Sequence, residues 1–88
     1  MEKLLPIGSI VKLKTGDNLF MIDGYCQYIS NDKDKIYDYS ASPYPTGRNN
    51  QVILLNASDI DVVLFIGYQT KEGIEFRDEL LSKRWETL

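Results

Sequence analysis

Three aspartates, Asp38, Asp59 and Asp61, are the carboxylates that this chain could gather at one site. A pair of carboxylates can act as general acid and base or hold a divalent cation, but either role needs a cleft and further ligands. Aspartates beside turns more often cap a helix or face water. We therefore expect no metal site and no catalytic pair at these positions.

The other reactive side chains lack the partners that nucleophilic chemistry requires. The sequence contains no histidine and a single cysteine, Cys26, so neither a Cys–His nucleophile nor a His-containing metal site can form. Ser40, Ser42 and Ser58 have no histidine base, and no glycine-rich loop is present to hold a phosphate. The sequence predicts a protein that is not an enzyme and carries no cofactor.

The size and charge of the chain exclude further classes of function. The 88 residues suffice for one small domain, spanning 1–88, and the net charge of −3 gives no concentrated cationic face for nucleic acid or anionic lipid. The longest apolar runs, 52–55 and 62–66, are far shorter than the roughly 20 residues of a membrane span. With a free thiol and no signal-peptide pattern, we expect a soluble cytoplasmic protein.

Hydrophobic periodicity indicates a β-rich fold. Alternation over 9–14, turn residues at 15–18 and a β-branched return arm over 19–29 predict a hairpin, with Gly24 marking a bulge or a sharp bend. Further strands are expected at 35–39, 52–55 and 62–68, separated by a long loop at 40–50 and a short turn at 56–59. The fold class is mainly β (α+β): a small SH3-like five-stranded barrel or a curled antiparallel sheet, with strands within 8–68 and a C-terminal helix.

The helix is expected over about 70–86, with Thr70 as its cap. Its apolar residues fall on two stripes, one formed by Ile74, Leu81 and Trp85 and the other by Phe76 and Leu80. Packing on one sheet requires only one stripe. Either one stripe contacts the core while the other covers the end of the barrel, or one stripe contacts another protein, with Ile74, Leu81 and Trp85 as the binding residues.

A second candidate for partner binding is the segment rich in tyrosine and proline. Tyrosines next to a proline-containing loop suit a peptide-binding surface, because tyrosine offers a large contact area at modest entropic cost. Tyrosine is also ordinary on strands, and prolines can simply stiffen a connection. The candidate residues are Tyr37, Tyr39, Pro43, Tyr44 and Pro45. Stacking of single-stranded nucleic acid on them would need more cations than Arg48.

Several spaced motifs give the chain a family resemblance. They are Leu5-Pro6-Ile7-Gly8-Ser9-Ile10-Val11-Lys12-Leu13, Tyr37-Asp38-Tyr39, Pro43-Tyr44-Pro45 with Gly47, Asp59-Ile60-Asp61-Val62-Val63, and Gly67-Tyr68. The series resembles a family of short uncharacterised proteins of Gram-positive bacteria, a domain of unknown function encoded beside LXG toxins and small helical proteins of the type VII secretion system.

The resemblance implies a non-enzymatic accessory or chaperone-like protein. It would bind an LXG toxin, or the toxin's small helical partners, in the cytoplasm before export. An immunity protein that neutralises a toxin domain is the first alternative, since small acidic proteins can occlude basic sites. An adaptor that binds extended peptides by strand addition is the second, and it predicts an exposed strand edge. A homodimer is also compatible with the second helical stripe.

Overall fold

The computed structural model describes residues 4–29, 32–48, 50 and 53–87. Within them the chain forms five strands, β1 (Ile10–Leu13), β2 (Leu19–Ile29), β3 (Asp32–Tyr44), β4 (Ile53–Leu55) and β5 (Ile60–Phe65), followed by helix α1 (Lys71–Thr87). A three-residue 3-10 helix, Ala57–Asp59, connects β4 to β5. All strand pairs are antiparallel. The predicted α+β class, with five strands and a C-terminal helix, is confirmed.

The strands form one open sheet in the order β4-β3-β2-β1-β5. A barrel needs its outermost strands to pair with each other, whereas β4 and β5 occupy opposite edges. Of the two predicted architectures, the antiparallel sheet is therefore found and the closed barrel is not. No helix in the described ranges has the length and apolarity to cross a membrane.

The first hairpin follows the sequence pattern closely. β2 has the expected bounds, and its register with β3 shifts between Ile22 and Gly24, as expected for a bulge at this glycine. Val11 is fully buried and Leu13 packs against the core, while Lys12 points to the opposite face. Alternation in β1 thus places one side of the hairpin in the core.

The third strand is longer than the expected 35–39, because residues 32–34 also belong to β3 and residues 40–44 belong to it and not to a loop. Ala41 pairs with Ile22 of β2 and is fully buried, while Ser40 and Ser42 face the other side of the sheet. Proline at position 43 weakened the strand prediction, since proline donates no ladder hydrogen bond. The buried alanine and the pairing with β2 outweigh that loss, and the strand ends at the cis Tyr44–Pro45 bond.

The core lies on one face of the sheet, which we call the inner face. Its buried members on the strands are Val11, Ile22, Tyr39, Ala41 and Leu55, and Leu4 from the N-terminal segment joins them. From α1, Leu80 packs against this cluster. The helix and the N-terminal segment therefore cover the inner face. On the outer face, Asp38, Ser40 and Ser42 are buried, whereas Met21, Tyr44 and Phe65 are exposed.

Helix α1 begins as predicted, but neither of its two apolar stripes contacts the core as a whole. Thr70 caps the helix by accepting a hydrogen bond from the Gly73 amide at 2.9 Å. Leu80 reaches the core, whereas Phe76 of the same stripe is 54% exposed. The inward side centres on Arg77, which is buried and donates to Gln69 Oε1 at 2.8 Å. At about 100° per residue, Phe76 is turned away from that side.

Candidate functional site

The aspartates considered for chemistry are each bonded to nearby backbone or to a lysine. Asp38 accepts a hydrogen bond from the Ala57 amide at 2.7 Å, and Asp59 accepts one from the Asn56 amide at 2.8 Å. Asp61 forms an ion pair with Lys12, with 3.1 Å between Nζ and Oδ2. In the described part of the chain, no three candidate metal ligands come together. These contacts hold the turn before β5 and join β5 to β1.

A polar cluster on the outer face centres on Asp23, which the sequence did not single out. Its carboxylate accepts hydrogen bonds from Ser40 at 2.6 Å and from Ser42 and Arg48 at 2.5 Å each. Burial by itself raises the pKa of Asp23, but these bonds and the Arg48 charge outweigh it and lower the pKa below its usual 3.8. The cluster ties β2, β3 and the segment after β3 together. The sequence signal for this cluster was the spacing of Ser40 and Ser42, which places both hydroxyls on one face of a strand, where they can donate to an aspartate of the neighbouring strand.

The tyrosine- and proline-rich segment is divided between core and surface. Tyr39 is 1% exposed, and its hydroxyl accepts a hydrogen bond from the Leu5 amide at 2.9 Å. Tyr37 and Pro43 are half-buried, while Tyr44 is 51% exposed and Pro45 is exposed. Tyr39 is therefore placed to hold the N-terminal segment and does not belong to the accessible surface. Tyr44 and Pro45 remain accessible.

Tyr25 completes the attachment of the N-terminal segment. Its hydroxyl donates to the Leu5 carbonyl at 2.6 Å, and its ring lies 6.1 Å from that of Tyr39. Burial raises the pKa of Tyr25, while Arg77 and the Ile7 backbone act in the opposite direction. Both backbone polar groups of Leu5 are thus bonded to tyrosines of the inner face. Clustered tyrosines here serve the fold.

The accessible apolar residues gather on and around β5. Of the described residues, eleven large apolar side chains are exposed, and nine of these form what we call the β5 surface. Residues 62–66 are 40–60% exposed. The β5 surface consists of Ile7, Met21, Tyr44, residues 62–66 and Tyr68. The sequence predicted a strand here without a binding role, because an apolar run does not tell a central strand from an edge strand.

Strand register explains why these side chains are neighbours. Ile10 pairs with Met21 on one side and with Phe65 on the other, so all three lie on the outer face. Val11 pairs with Val63 and Ile10 with Phe65, which leaves Leu64 as an extra residue without a partner in β1. Such a shift re-aims a side chain. Consecutive residues Leu64 and Phe65 consequently line the same groove.

That groove runs between β5 and the end of β3. It has a volume of about 420 Å³ and is lined by Gly8, Ile10, Leu19, Tyr44, Leu64 and Phe65. Tyr44 also borders a second groove of about 460 Å³ on its other side, together with Pro43 and Pro45. Tyr44 therefore stands as a ridge between two depressions, and apart from its hydroxyl the first groove is lined by apolar or glycine residues.

The end of β5 is held firmly at Gly67. The Gly67 amide donates to the buried Ser9 hydroxyl at 3.0 Å, and Ser9 in turn donates to the Pro6 carbonyl at 2.7 Å. A Cβ at position 67 would lie 2.2 Å from the Ile7 carbonyl oxygen. Only glycine allows this approach of the two segments.

The helical stripe proposed for binding is only partly displayed. Ile74 is 41% exposed, and Leu81 is half-buried. The side chain of Trp85 lies outside the described part of the structure. Ile74 and the neighbouring Phe76 are the two exposed large apolar residues that α1 contributes to the described surface. Binding by this stripe stays a prediction.

Together the fold and the site define a small α+β domain whose sheet has one covered face and one apolar, accessible edge. The chain belongs to the family described as Domain of unknown function (DUF4176), which matches residues 4–76. This span includes all five strands and the beginning of α1. No curated protein and no solved structure matches the chain. The predicted membership of an uncharacterised family is confirmed.

Proposed function

We propose that this protein is a non-enzymatic accessory or chaperone-like factor that binds another protein through the β5 surface. Following the resemblance set out above, the partner is an LXG toxin of the type VII secretion system or one of the toxin's small helical partners, bound in the cytoplasm before export. The observation that supports a binding role is the concentration of nine exposed apolar side chains on and around the edge strand β5 of an 88-residue domain.

The size of this surface fits protein binding. An aromatic side chain buries on the order of 150–250 Å², and an aliphatic one less. Nine such side chains, about half exposed, therefore offer roughly 800 Å², which is what one partner contributes to a standard interface. The largest apolar patch on a typical monomer is about 300–600 Å². Covering the β5 surface would release water from it and stabilise the complex.

The two alternatives, an immunity protein and a peptide-binding adaptor, require different properties of the binding surface. An immunity protein acting on a basic toxin site would be expected to use acidic residues. The β5 surface is apolar, and both Asp61 of β5 and Asp23 of the outer-face cluster are already ion-paired. Peptide capture by strand addition is favoured by the position of β5 at a sheet edge. The register of β5 with β1, however, skips Asp61 and Leu64, and such bulges interrupt the regular edge that an added strand needs.

The test uses purified protein and fragments of an LXG toxin encoded near its gene. We expect binding to the N-terminal targeting region, measured by calorimetry, and its loss in Phe65→Asp. The matched control is Phe76→Asp, since Phe76 is similarly exposed but lies on α1. Binding confined to the C-terminal toxin domain would favour the immunity protein. Equal binding by both variants would exclude the β5 surface as the site.

A further inference from the structure

The β5 surface raises the question of what covers it before a partner arrives. An apolar surface of roughly 800 Å² is costly to leave in water and favours association. A small molecule is a poor occupant, because the groove offers only the Tyr44 hydroxyl as a side-chain polar group, and ligand sites orient their ligands with several polar groups. An added strand is disfavoured by the two register shifts of β5.

The charges near the surface permit a second copy of the same chain. Each chain carries a net charge of −3, which opposes self-association in general. Beside β5, however, Lys12 pairs with Asp61, and elsewhere on the outer face Arg48 pairs with Asp23. Two copies meeting here would bring together locally neutral regions. A two-fold contact also lets the Lys12–Asp61 pair of one copy face the same pair of the other, so that opposite charges can align.

The β5 surface also has the shape and the area that a contact between two identical copies requires. In a two-fold contact the same patch serves both copies, so it must supply both a projection and a recess. Here the exposed side chains of Leu64 and Phe65 border the groove beside Tyr44. The roughly 800 Å² that each copy offers equals the contribution of one partner to a standard interface.

From these observations we infer that the free protein forms a two-fold symmetric dimer in which the β5 surfaces of two copies cover each other. A second part of this inference rests on the proposed function: a partner that binds the β5 surface displaces one copy. The dimer would then protect the apolar surface until a partner competes for it, and the two associations exclude each other.

The first experiment is sedimentation equilibrium of the purified full chain across the micromolar range, where interfaces of this area can dissociate. We expect the mass to rise with concentration from the 10.1 kDa of one chain to twice that value. Phe65→Asp should weaken the dimer at least about 30-fold, the effect of losing an interface hot spot, while Phe76→Asp should leave the dimer unchanged. A single-chain mass at every concentration overturns the dimer.

A charge exchange tests the same contact without adding a charge to its apolar centre. Lys12→Glu places two acidic groups at the edge of each patch and should weaken the dimer, most strongly at low salt. Adding Asp61→Lys restores a neutral pair and should restore the dimer. Hydrogen exchange measured at low and high concentration should show added protection over 60–66 and none over 71–78. Protection of the helix alone would overturn the assignment of the surface.

Partner binding separates the two parts of the inference from the proposed function. Titration of the dimer with the N-terminal toxin fragment should yield a complex with one copy of this chain. A complex that retains two copies overturns the displacement. A dimer that binds neither a toxin fragment nor the toxin's small helical partners refutes the proposed function and leaves the dimer intact.

Discussion

Replacing Gly67 by alanine should destabilise the protein strongly, because this glycine lies where β5 ends against the N-terminal segment. The added Cβ would lie 2.2 Å from the Ile7 carbonyl oxygen and 2.9 Å from both the Ile7 carbonyl carbon and the Ser9 nitrogen. All three are backbone atoms, so no side chain can rotate away. Either β5 or residues 7–9 must therefore move.

The magnitude follows from two contributions to the free energy of unfolding. Overpacking against atoms that cannot yield costs about 1–3 kcal/mol. Displacing Gly67 also weakens its buried hydrogen bond to the Ser9 hydroxyl, worth about 1 kcal/mol. We expect a total loss of about 3 kcal/mol. For a domain of this size that corresponds to a fall in Tm of roughly 12–24 °C.

Gly16→Ala is the matched control for this prediction. No atom lies within 4 Å of a Cβ at position 16, so the substitution should change the unfolding free energy by less than about 1 kcal/mol. Both variants can be compared with the parent chain by urea unfolding followed by circular dichroism. A loss below about 1 kcal/mol in Gly67→Ala, or an equal loss in both variants, would refute the steric argument.

Two further predictions concern polar contacts. Asp23→Asn should lower stability by about 1–3 kcal/mol at neutral pH, because it removes the ion pair with Arg48 and replaces a charged acceptor. The pKa of Asp23 is lowered in the folded state, so its stabilisation is present above pH 3.8 and is lost as the pH falls through the folded-state pKa. In urea unfolding, the difference in unfolding free energy between parent and variant should therefore be smaller at pH 3 than at pH 7. Thr70→Ala should cost about 1 kcal/mol by removing the cap of α1, and Thr70→Ser should restore it. A serine variant as unstable as the alanine variant would argue against a capping role.

The location of the β5 surface has a physical consequence for how this domain is stabilised. A small domain of this kind has a modest core, and the described core holds six buried apolar residues. Polar contacts then contribute a larger share of the stability. They include the Asp23 cluster on the outer face, the hydrogen bonds of two tyrosine hydroxyls to Leu5, and the Gly67–Ser9 hydrogen bond.

Much of the secondary structure was determined by local sequence alone. Alternation in β1, the β-branched arm of β2, the bulge at Gly24 and the cap at Thr70 each depend on neighbours a few residues apart, and each was predicted correctly. The absence of histidine and the single cysteine are likewise properties of the sequence itself. Local patterns and composition need no tertiary information.

The tertiary structure decided which side chains are accessible. An apolar run such as 62–66 suits a central strand as well as an edge strand, and only the strand order places β5 at an edge with its side chains exposed. Tyr39 and Tyr44 share one sequence motif, yet the first is in the core and the second on the surface, because odd residues of β3 face inward until the strand ends at Tyr44. Burial depends on residues distant in sequence, such as Leu5 beside Tyr39, and sequence periodicity does not reveal those neighbours.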